Sequence, residues 1–393
     1  MKLERILYAS HRYHTNQVPI MKGWYEKGVK VKFLAQYQGV SEVHDYVEFH
    51  QLSPSLFTMV YNWIADKIYN PSVAESKKAT LFFPSAFDTI KQVYNFKPQL
   101  VILRNRSICN AIICLVCKLI GVKYIVNYTQ TELYTTMNRS KRVGNIAKLF
   151  FPEVGFTPVL YRGIYREKNN VPQEWFHPHY YIPLVGDISQ TPKKNFFKDN
   201  VIHLLDVGKY RPYKNHYFLI DALSEVKNKD NFRLTIIGQL SQEAERAYYN
   251  ELKKYVEDKG LSNIVSVNAN VPFQEMDTIY ENADVLVLPS KSETAGMVIL
   301  EAMAKGLCVM SGNNCGLACY LEESNCGFVF DIQDTKQLVE QLNRISEDRE
   351  IIKKYAGEAL KAVSNNYSFQ NYVDGLRFLM SDFFQEKLYI ENY

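Results

Sequence analysis

The chain has 393 residues, of which 47% are hydrophobic and 22% charged, with a formal net charge of +4. That length accommodates two domains with two substantial cores, and the balance fits a soluble globular protein. The charge is too small and too dispersed for a nucleic-acid partner, and no basic repeat or zinc-finger spacing supports one.

The first stretch, MKLERILYAS, reads as a short strand followed by polar residues rather than as a signal peptide. No run reaches the roughly 18 apolar residues of a membrane span. The longest candidate, residues 108–120, carries Lys118 and stops at Gly121. The expected location is therefore the cytoplasm, at most touching the inner face of a membrane. The seven cysteines agree, because an odd number without an export signal points to free thiols. Cys109, Cys114 and Cys117 share one apolar helix. Cys308, Cys315, Cys319 and Cys326 are irregularly spaced, without a Cys-x-x-Cys pair or a histidine partner, which argues against zinc.

In the first half, residues 6–9, 31–35, 100–103 and 123–127 read as strands. Residues 20–27 and 108–120 read as helices, and 77–96 as partly helical. Such alternation implies parallel strands with helical crossovers. The loop after the first strand, SHRYHTNQVP, gathers His11, Arg12, His14, Thr15, Asn16 and Gln17. It is either a hydrogen-bonding surface for a sugar or phosphate, or a solvated loop capping the next helix. Arg104, Asn105 and Arg106 follow another strand, and there too an anion contact and a solvated turn stand as alternatives. Residues 139–151 (RSKRVGNIAKLFF) interleave Arg139, Lys141, Arg142 and Lys148 with Leu149, Phe150 and Phe151. Such a segment can rest on an anionic membrane surface or be an ordinary helix whose apolar end is core.

Residues 186–200 (GDISQTPKKNFFKDN) are polar and turn-rich and mark a boundary. Beyond it the plan repeats. Strands are expected at residues 202–207, 234–237, 264–267, 285–288, 308–311 and 327–330. Helices are expected at 242–259, 273–280, 297–305, 335–348 and 349–364.

Two segments here carry chemistry. In HLLDVGKYRPYKNHYFLIDAL, an apolar strand ends at Gly208, Lys209 follows at once, and Lys214 comes five residues later. Compact cations after a strand suit a diphosphate. In SKSETAGMVILEAMAKG, the chain leaves an apolar strand, turns at Gly296 and enters a helix. A helix N-terminus offers free N–H groups and partial positive charge. Glu293 lies in the loop and Glu301 about a turn and a half into the helix; a carboxylate suits a vicinal diol, each oxygen accepting one hydroxyl proton. Phosphate and sugar hydroxyls together indicate a nucleotide-sugar.

These residues resemble the donor-site signature of retaining glycosyltransferases of family 4. The resemblance is strongest over about residues 200–330. It also takes in FRLTIIG ending at Gly238, VSVNANVP with Asn270 and Val271, and GFVF. Ala295 replaces the signature's aromatic residue, Lys209 its arginine, and Asn215 the glycine after the lysine. Thr129 and Gln130 fall where many members carry a histidine.

The resemblance implies a GT-B fold, an α/β architecture of two Rossmann-like parallel-sheet domains facing a cleft. Residues 1–186 would bind the acceptor and 187–367 the nucleotide-sugar donor. Residues 368–393 would supply a final helix returning to the first domain. It implies a hexosyltransferase-type enzyme acting on a nucleoside-diphosphate sugar, a UDP-sugar above all, and a glycan or lipid-linked acceptor of a cell-surface polysaccharide. Lys209, Lys214 and Glu293 would act in catalysis. Glu301, Gly208, Thr294, Ala295, Gly296, Met297, Val298, Gly238, Asn270 and Val271 would hold the donor. His14, Thr15, Asn16, Arg104, Thr129 and Gln130 are the acceptor-side candidates. No Asp-x-Asp occurs, so no metal or other cofactor is expected. The alternatives are a nucleotide-sugar epimerase or phosphorylase on the same fold, or a non-catalytic sugar-nucleotide or glycan-binding subunit.

Overall fold

The computed structural model describes residues 1–14, 17–38, 44–69, 81–105, 107–127, 154–158, 179–188, 193–240 and 243–390. Thr15, Asn16, Arg106, Thr129, Gln130 and the basic segment 139–151 lie outside the described residues. The chain forms two compact units. One holds the described residues up to Pro158, the stretch ending at Leu184, and those from Phe369 on; the other is Val185–Ser368.

The first unit is a parallel sheet of seven strands: β1 (Arg5–Ser10), β2 (Lys30–Ala35), β3 (Glu48–Gln51), β4 (Leu100–Arg104), β5 (Lys123–Asn127), β6 (Gly155–Thr157) and β7 (His179–Tyr181), in the order β3-β2-β1-β4-β5-β6-β7. Among the described residues, the helices between these strands are α1 (Val18–Glu26), α2 (Leu56–Ile68), α3 (Ala86–Phe96) and α4 (Ile108–Ile120). Ser55, Ser85 and Ser107 each accept an amide N–H as the N-caps of α2, α3 and α4, which satisfies a donor the helix cannot. Cys109, Cys114 and Cys117 are buried on α4.

The last helix, here called α12 (Phe369–Phe383), belongs to this first unit. Trp24 meets Phe369 edge-on at 4.9 Å. Trp24 Nε1 donates to the Tyr8 hydroxyl at 2.8 Å, and that hydroxyl lies 3.0 Å from the hydroxyl of Tyr372. Buried aromatics and a satisfied polar chain thus seat α12, the return that the resemblance implies.

The second unit is a parallel sheet of six strands: β8 (Ile202–Val207), β9 (Phe232–Gly238), β10 (Val265–Ala269), β11 (Val285–Leu288), β12 (Cys308–Gly312) and β13 (Phe328–Phe330), in the order β10-β9-β8-β11-β12-β13. The connecting helices are α5 (His216–Glu225), α6 (Glu243–Asp258), α7 (Met276–Asn282), α8 (Met297–Ala304), α9 (Ala318–Ser324), α10 (Thr335–Glu347) and α11 (Glu350–Asn366). Leu204, Leu234, Ile236, Val285, Val287 and Met310 form part of the core on one sheet face with Leu219, Leu223 and Leu342.

Several elements differ from the sequence expectation. Within the stretch 77–96, the described residues 81–85 are not helical and α3 begins at Ala86. The helix expected from Phe273 begins at Met276, after a 3-10 turn. Unanticipated are β3 and the three-residue β6 and β7, whose signals are too polar or too short, and α2 and α9. In α2 the pattern is inverted: Thr58 and Ala65 are buried, while Leu56 is 80%, Phe57 58%, Trp63 60% and Ile68 67% exposed. Among the described residues no helix is long and apolar enough to cross a membrane.

Candidate active site

In the second sheet β8 and β11 are neighbours, with Leu204 opposite Val285. From that pair the chain order runs outward in both directions, to β9 and β10 on one side and to β12 and β13 on the other. Open parallel sheets bind ligands outside the strand carboxyl ends at such a reversal. The two loops leaving those ends are residues 208–215 and 289–296, the two segments singled out in the sequence.

The loops are tied together. Lys291 N–H donates to the Tyr213 carbonyl at 2.7 Å, and Asn215 Nδ2 donates to the Pro289 carbonyl at 3.2 Å. Asn215 holds φ 61, a left-handed conformation that asparagine tolerates. The turn drives Lys214 inward, to 8% exposure. Its Nζ sits 2.5 Å from Glu293 Oε2. Burial by itself lowers the lysine's proton affinity, but the charge and hydrogen bond of Glu293 outweigh it and hold the ammonium above its ordinary value. Glu293 is fixed from behind: its N–H donates to the Asn314 carbonyl at 3.3 Å, and its carbonyl accepts from Gly316 at 3.0 Å. Thr294 and Ala295 continue the loop, and the Ala295 carbonyl accepts from Leu317 at 2.8 Å.

Gly296 turns the loop into α8 at φ 76. A side chain there would be strained and would press on Leu288, 3.1 Å from the ideal Cβ position. Met297 and Val298 open the helix, with the first-turn amides that a helix leaves without internal partners. Glu301 is exposed on α8, and the hydroxyl of buried Tyr280, from α7, donates to its Oε2 at 2.9 Å.

Lys209 is exposed, and no side-chain ion pair to it forms among the described residues. Gly208 and Gly238 let the ends of β8 and β9 approach: a Cβ on Gly238 would stand 2.3 Å from the Gly208 carbonyl oxygen. Asn270, at φ 55, donates its N–H to the Gly238 carbonyl at 2.9 Å, and its Oδ1 accepts from Leu240 N–H at 2.8 Å. Gly238, the last residue of β9, and Asn270 and Val271, just past β10, therefore lie together at the carboxyl ends of the two strands that follow β8 in the sheet.

Sequence reasoning missed four partners. Arg211 is held by Glu245 at 2.9 Å. Tyr280 orients Glu301. Asp206 is buried near the end of β8, and burial, opposed by the Lys214 charge, pushes its carboxyl up to about 7. His216 Nε2 stands 3.8 Å from Asp206 Oδ2, and burial, then the Lys214 charge, brings that imidazole down to about 3. The available signal was the lone acidic residue in HLLDV, since a strand buried on both faces is normally apolar.

In the first sheet the corresponding reversal lies between β1 and β4. His14 follows β1, and Arg104 is the last residue of β4. His14 is lowered to about 3 by burial and then by the charges of Arg104, Arg12 and His11. Arg104 is lowered to about 10 by burial and then by Arg12. The two are therefore close, with His14 neutral at pH 7. Buried Asn110 donates to the Arg104 and Asn105 carbonyls at 2.8 Å each and fixes that turn.

Cys308, Cys315, Cys319 and Cys326 are buried. Among the described residues no three of His, Cys, Asp and Glu gather as metal ligands would.

Residues 187–362, nearly the whole second unit, match the family described as glycosyl transferases group 1. The chain is 28% identical over 149 residues to the D-inositol 3-phosphate glycosyltransferase of Paenarthrobacter aurescens, covering 37% of this chain and 36% of that protein. It is 27% identical over 215 residues to the lipopolysaccharide glucosyltransferase WaaG of Escherichia coli, covering 53% and 50%. The chain thus spans half or less of the length of these curated relatives. Similarity of fold extends over almost all of it. A glycosyltransferase structure from Rickettsia africae superimposes with a TM-score of 0.70 at 13% identity, covering 98% of this chain and 100% of that one. Anabaena HepE in complex with UDP-glucose gives 0.68 at 14% identity, covering 96% and 99%. The architecture, two Rossmann-like parallel-sheet domains, matches GT-B glycosyltransferase structures.

Proposed function

We propose that this chain is a retaining glycosyltransferase of family 4, a hexosyltransferase-type enzyme that moves a sugar from a UDP-sugar to a glycan or lipid-linked acceptor in cell-surface polysaccharide synthesis. The observation that carries this reading is the Lys214–Glu293 pair at the β8/β11 reversal, with Glu301 further along the same loop and helix. The group 1 match spans the same unit, and a structural neighbour of the same fold is described with UDP-glucose bound.

In this reading Lys214 and Glu293 neutralise each other until the donor arrives. The diphosphate then takes the lysine, while a hydroxyl of the sugar donates to the freed carboxylate. Lys209, exposed, meets the outer phosphate oxygens. The Met297 and Val298 amides face the same charge at the positive end of α8. Glu301, steadied by Tyr280, accepts the ribose hydroxyls. As the bond from the anomeric carbon to the diphosphate oxygen breaks, its electron pair leaves with that oxygen. Lys209, Lys214 and the amides stabilise the growing negative charge, and Glu293 the positive charge at the anomeric carbon. The acceptor hydroxyl attacks from the face the diphosphate leaves, and its proton passes to the departing phosphate oxygen. No metal is required, since lysines and amides balance the diphosphate.

The acceptor belongs to the first unit, at His14 and Arg104, where an arginine suits a phosphate. A lipid-linked acceptor brings the protein to an anionic membrane face. The outward apolar side chains of α2 and α3, Leu56, Phe57, Trp63 and Phe87, support that contact. The Lys67 ammonium lies over the Trp63 ring at 3.7 Å, a pairing suited to the boundary between lipid and water.

The test is incubation with UDP-glucose and related donors, with and without lipid-linked oligosaccharide. Acceptor-dependent release of UDP with retained anomeric configuration is expected. Interconversion of donor sugars without transfer would identify an epimerase instead, and binding without turnover a non-catalytic subunit.

A further inference from the structure

Asp206 is 1% exposed, yet neither of its carboxylate oxygens has a hydrogen-bond partner. Unpaired charge in such a place is strongly disfavoured. The imidazole of His216 faces it at 3.8 Å, also fully buried and also without a hydrogen bond at Nε2. His216 Nδ1 is 3.1 Å from the Tyr248 hydroxyl. The other titratable groups acting on this pocket come from four directions: Lys214 from the turn before α5, Tyr210 from the loop after β8, Tyr248 from α6, and Cys315 from the loop after β12. Glu293 acts through Lys214.

Two orphaned atoms at this separation are reconciled by one proton. A neutral carboxylic acid beside a neutral imidazole, and a carboxylate beside an imidazolium, carry the same proton count and no net charge. Either arrangement leaves Lys214 answered by Glu293 alone. Losing that proton leaves a bare carboxylate behind Lys214, drawing on the charge that the diphosphate needs.

We propose that Asp206 and His216 share one buried proton and act as a positioning pair that decides how much of the Lys214 charge is offered to the donor diphosphate. The proposal rests on the donor reading above. With the imidazole lowered to about 3 and the carboxyl raised to about 7, the proton sits on Asp206 below neutrality and is half lost near pH 7. Above neutrality the pair loses it, and an arriving diphosphate draws it back. Donor binding at alkaline pH is then coupled to proton uptake.

Two measurements test this. The first needs no nucleotide. Asp206 has a folded-state value above its unfolded one, so its contribution to stability is lost as pH rises from about 4 to about 7. Relative to wild type, Asp206→Asn and the similarly shaped Asp206→Leu should gain melting temperature progressively over that window and then level off. Parallel melting curves from pH 4 to pH 8.5 would overturn the buried proton. The second is calorimetry of UDP-glucose binding, a probe whose diphosphate does not titrate there, in buffers of different ionisation enthalpy. Wild type should take up part of a proton at pH 8 and bind several-fold more weakly there than at pH 6. Either variant should bind without proton uptake and with a flat profile. Variants that keep the wild-type slope would overturn the positioning role. A normal stability shift with no UDP-glucose binding at any pH would instead overturn the donor reading.

Discussion

Lys214 and Glu293 lie 79 residues apart in sequence, and a 2.5 Å ion pair joins them. Each was legible separately, because a cation after a strand and a carboxylate before a helix are local patterns. Their pairing was not, since it depends on β8 and β11 being neighbours. Asp206 was visible as one acid in an apolar strand, but nothing local says that His216, ten positions on, folds back toward it. Lys214→Ala should raise the barrier to transfer by about 2–4 kcal/mol, the scale of losing one preorganised electrostatic contact in a water-poor site. It would also strand Glu293 without its ion-pair partner, so near-normal turnover would contradict the site. Glu293→Gln should lower kcat more than it raises KM, because it answers charge that develops during reaction. Glu301→Gln should mainly raise KM for the donor, since ribose is held equally in both states. Steady-state kinetics showing the reverse split would exchange the two roles.

At the scale of elements, the strand–helix alternation of both halves was readable because parallel strands form short, nearly continuous apolar runs. The strands β6 and β7, three residues each, carry too little pattern to find. The helix α2 was missed for another reason: its large apolar residues face outward, so the stripe that normally marks a core-facing helix is absent. Replacing Phe57, Trp63 and Phe87 with serine should reduce co-sedimentation with anionic liposomes while leaving the melting temperature nearly unchanged. Equal sedimentation of variant and wild type at low and high salt would remove α2 and α3 from membrane contact. At the other functional element, Gly296→Ala places a Cβ at φ 76, a cost of about 1–3 kcal/mol. It should lower both stability and donor affinity, because the loop that carries Glu293 enters α8 through this residue. Melting and donor titration of one sample would check both.

For the whole molecule, the two-sheet architecture and the final helix in the first unit follow the GT-B plan that the sequence resembles. The second unit carries the part of the plan most strongly written in sequence, because the proposed phosphate and sugar recognition would constrain residue types at fixed places after β8 and β11. The first unit carries less, since the acceptor contacts proposed at His14 and Arg104 need only polar groups at strand ends. Activity should survive excess EDTA; loss on chelation restored by magnesium or manganese would contradict the metal-free account. On the proposed reading the second unit binds a nucleoside-diphosphate sugar through Lys214, Glu293 and Glu301. The most direct test of that central claim is thermal denaturation of wild type and Lys214→Ala with a panel of nucleoside diphosphates and their sugars. At about one hundred times its dissociation constant, the true donor should stabilise wild type by about 2.7 kcal/mol, and Lys214→Ala should respond far less at the same concentration. A wild-type melting curve unmoved by every nucleotide-sugar at millimolar concentration, or an equal shift in the variant, would contradict it.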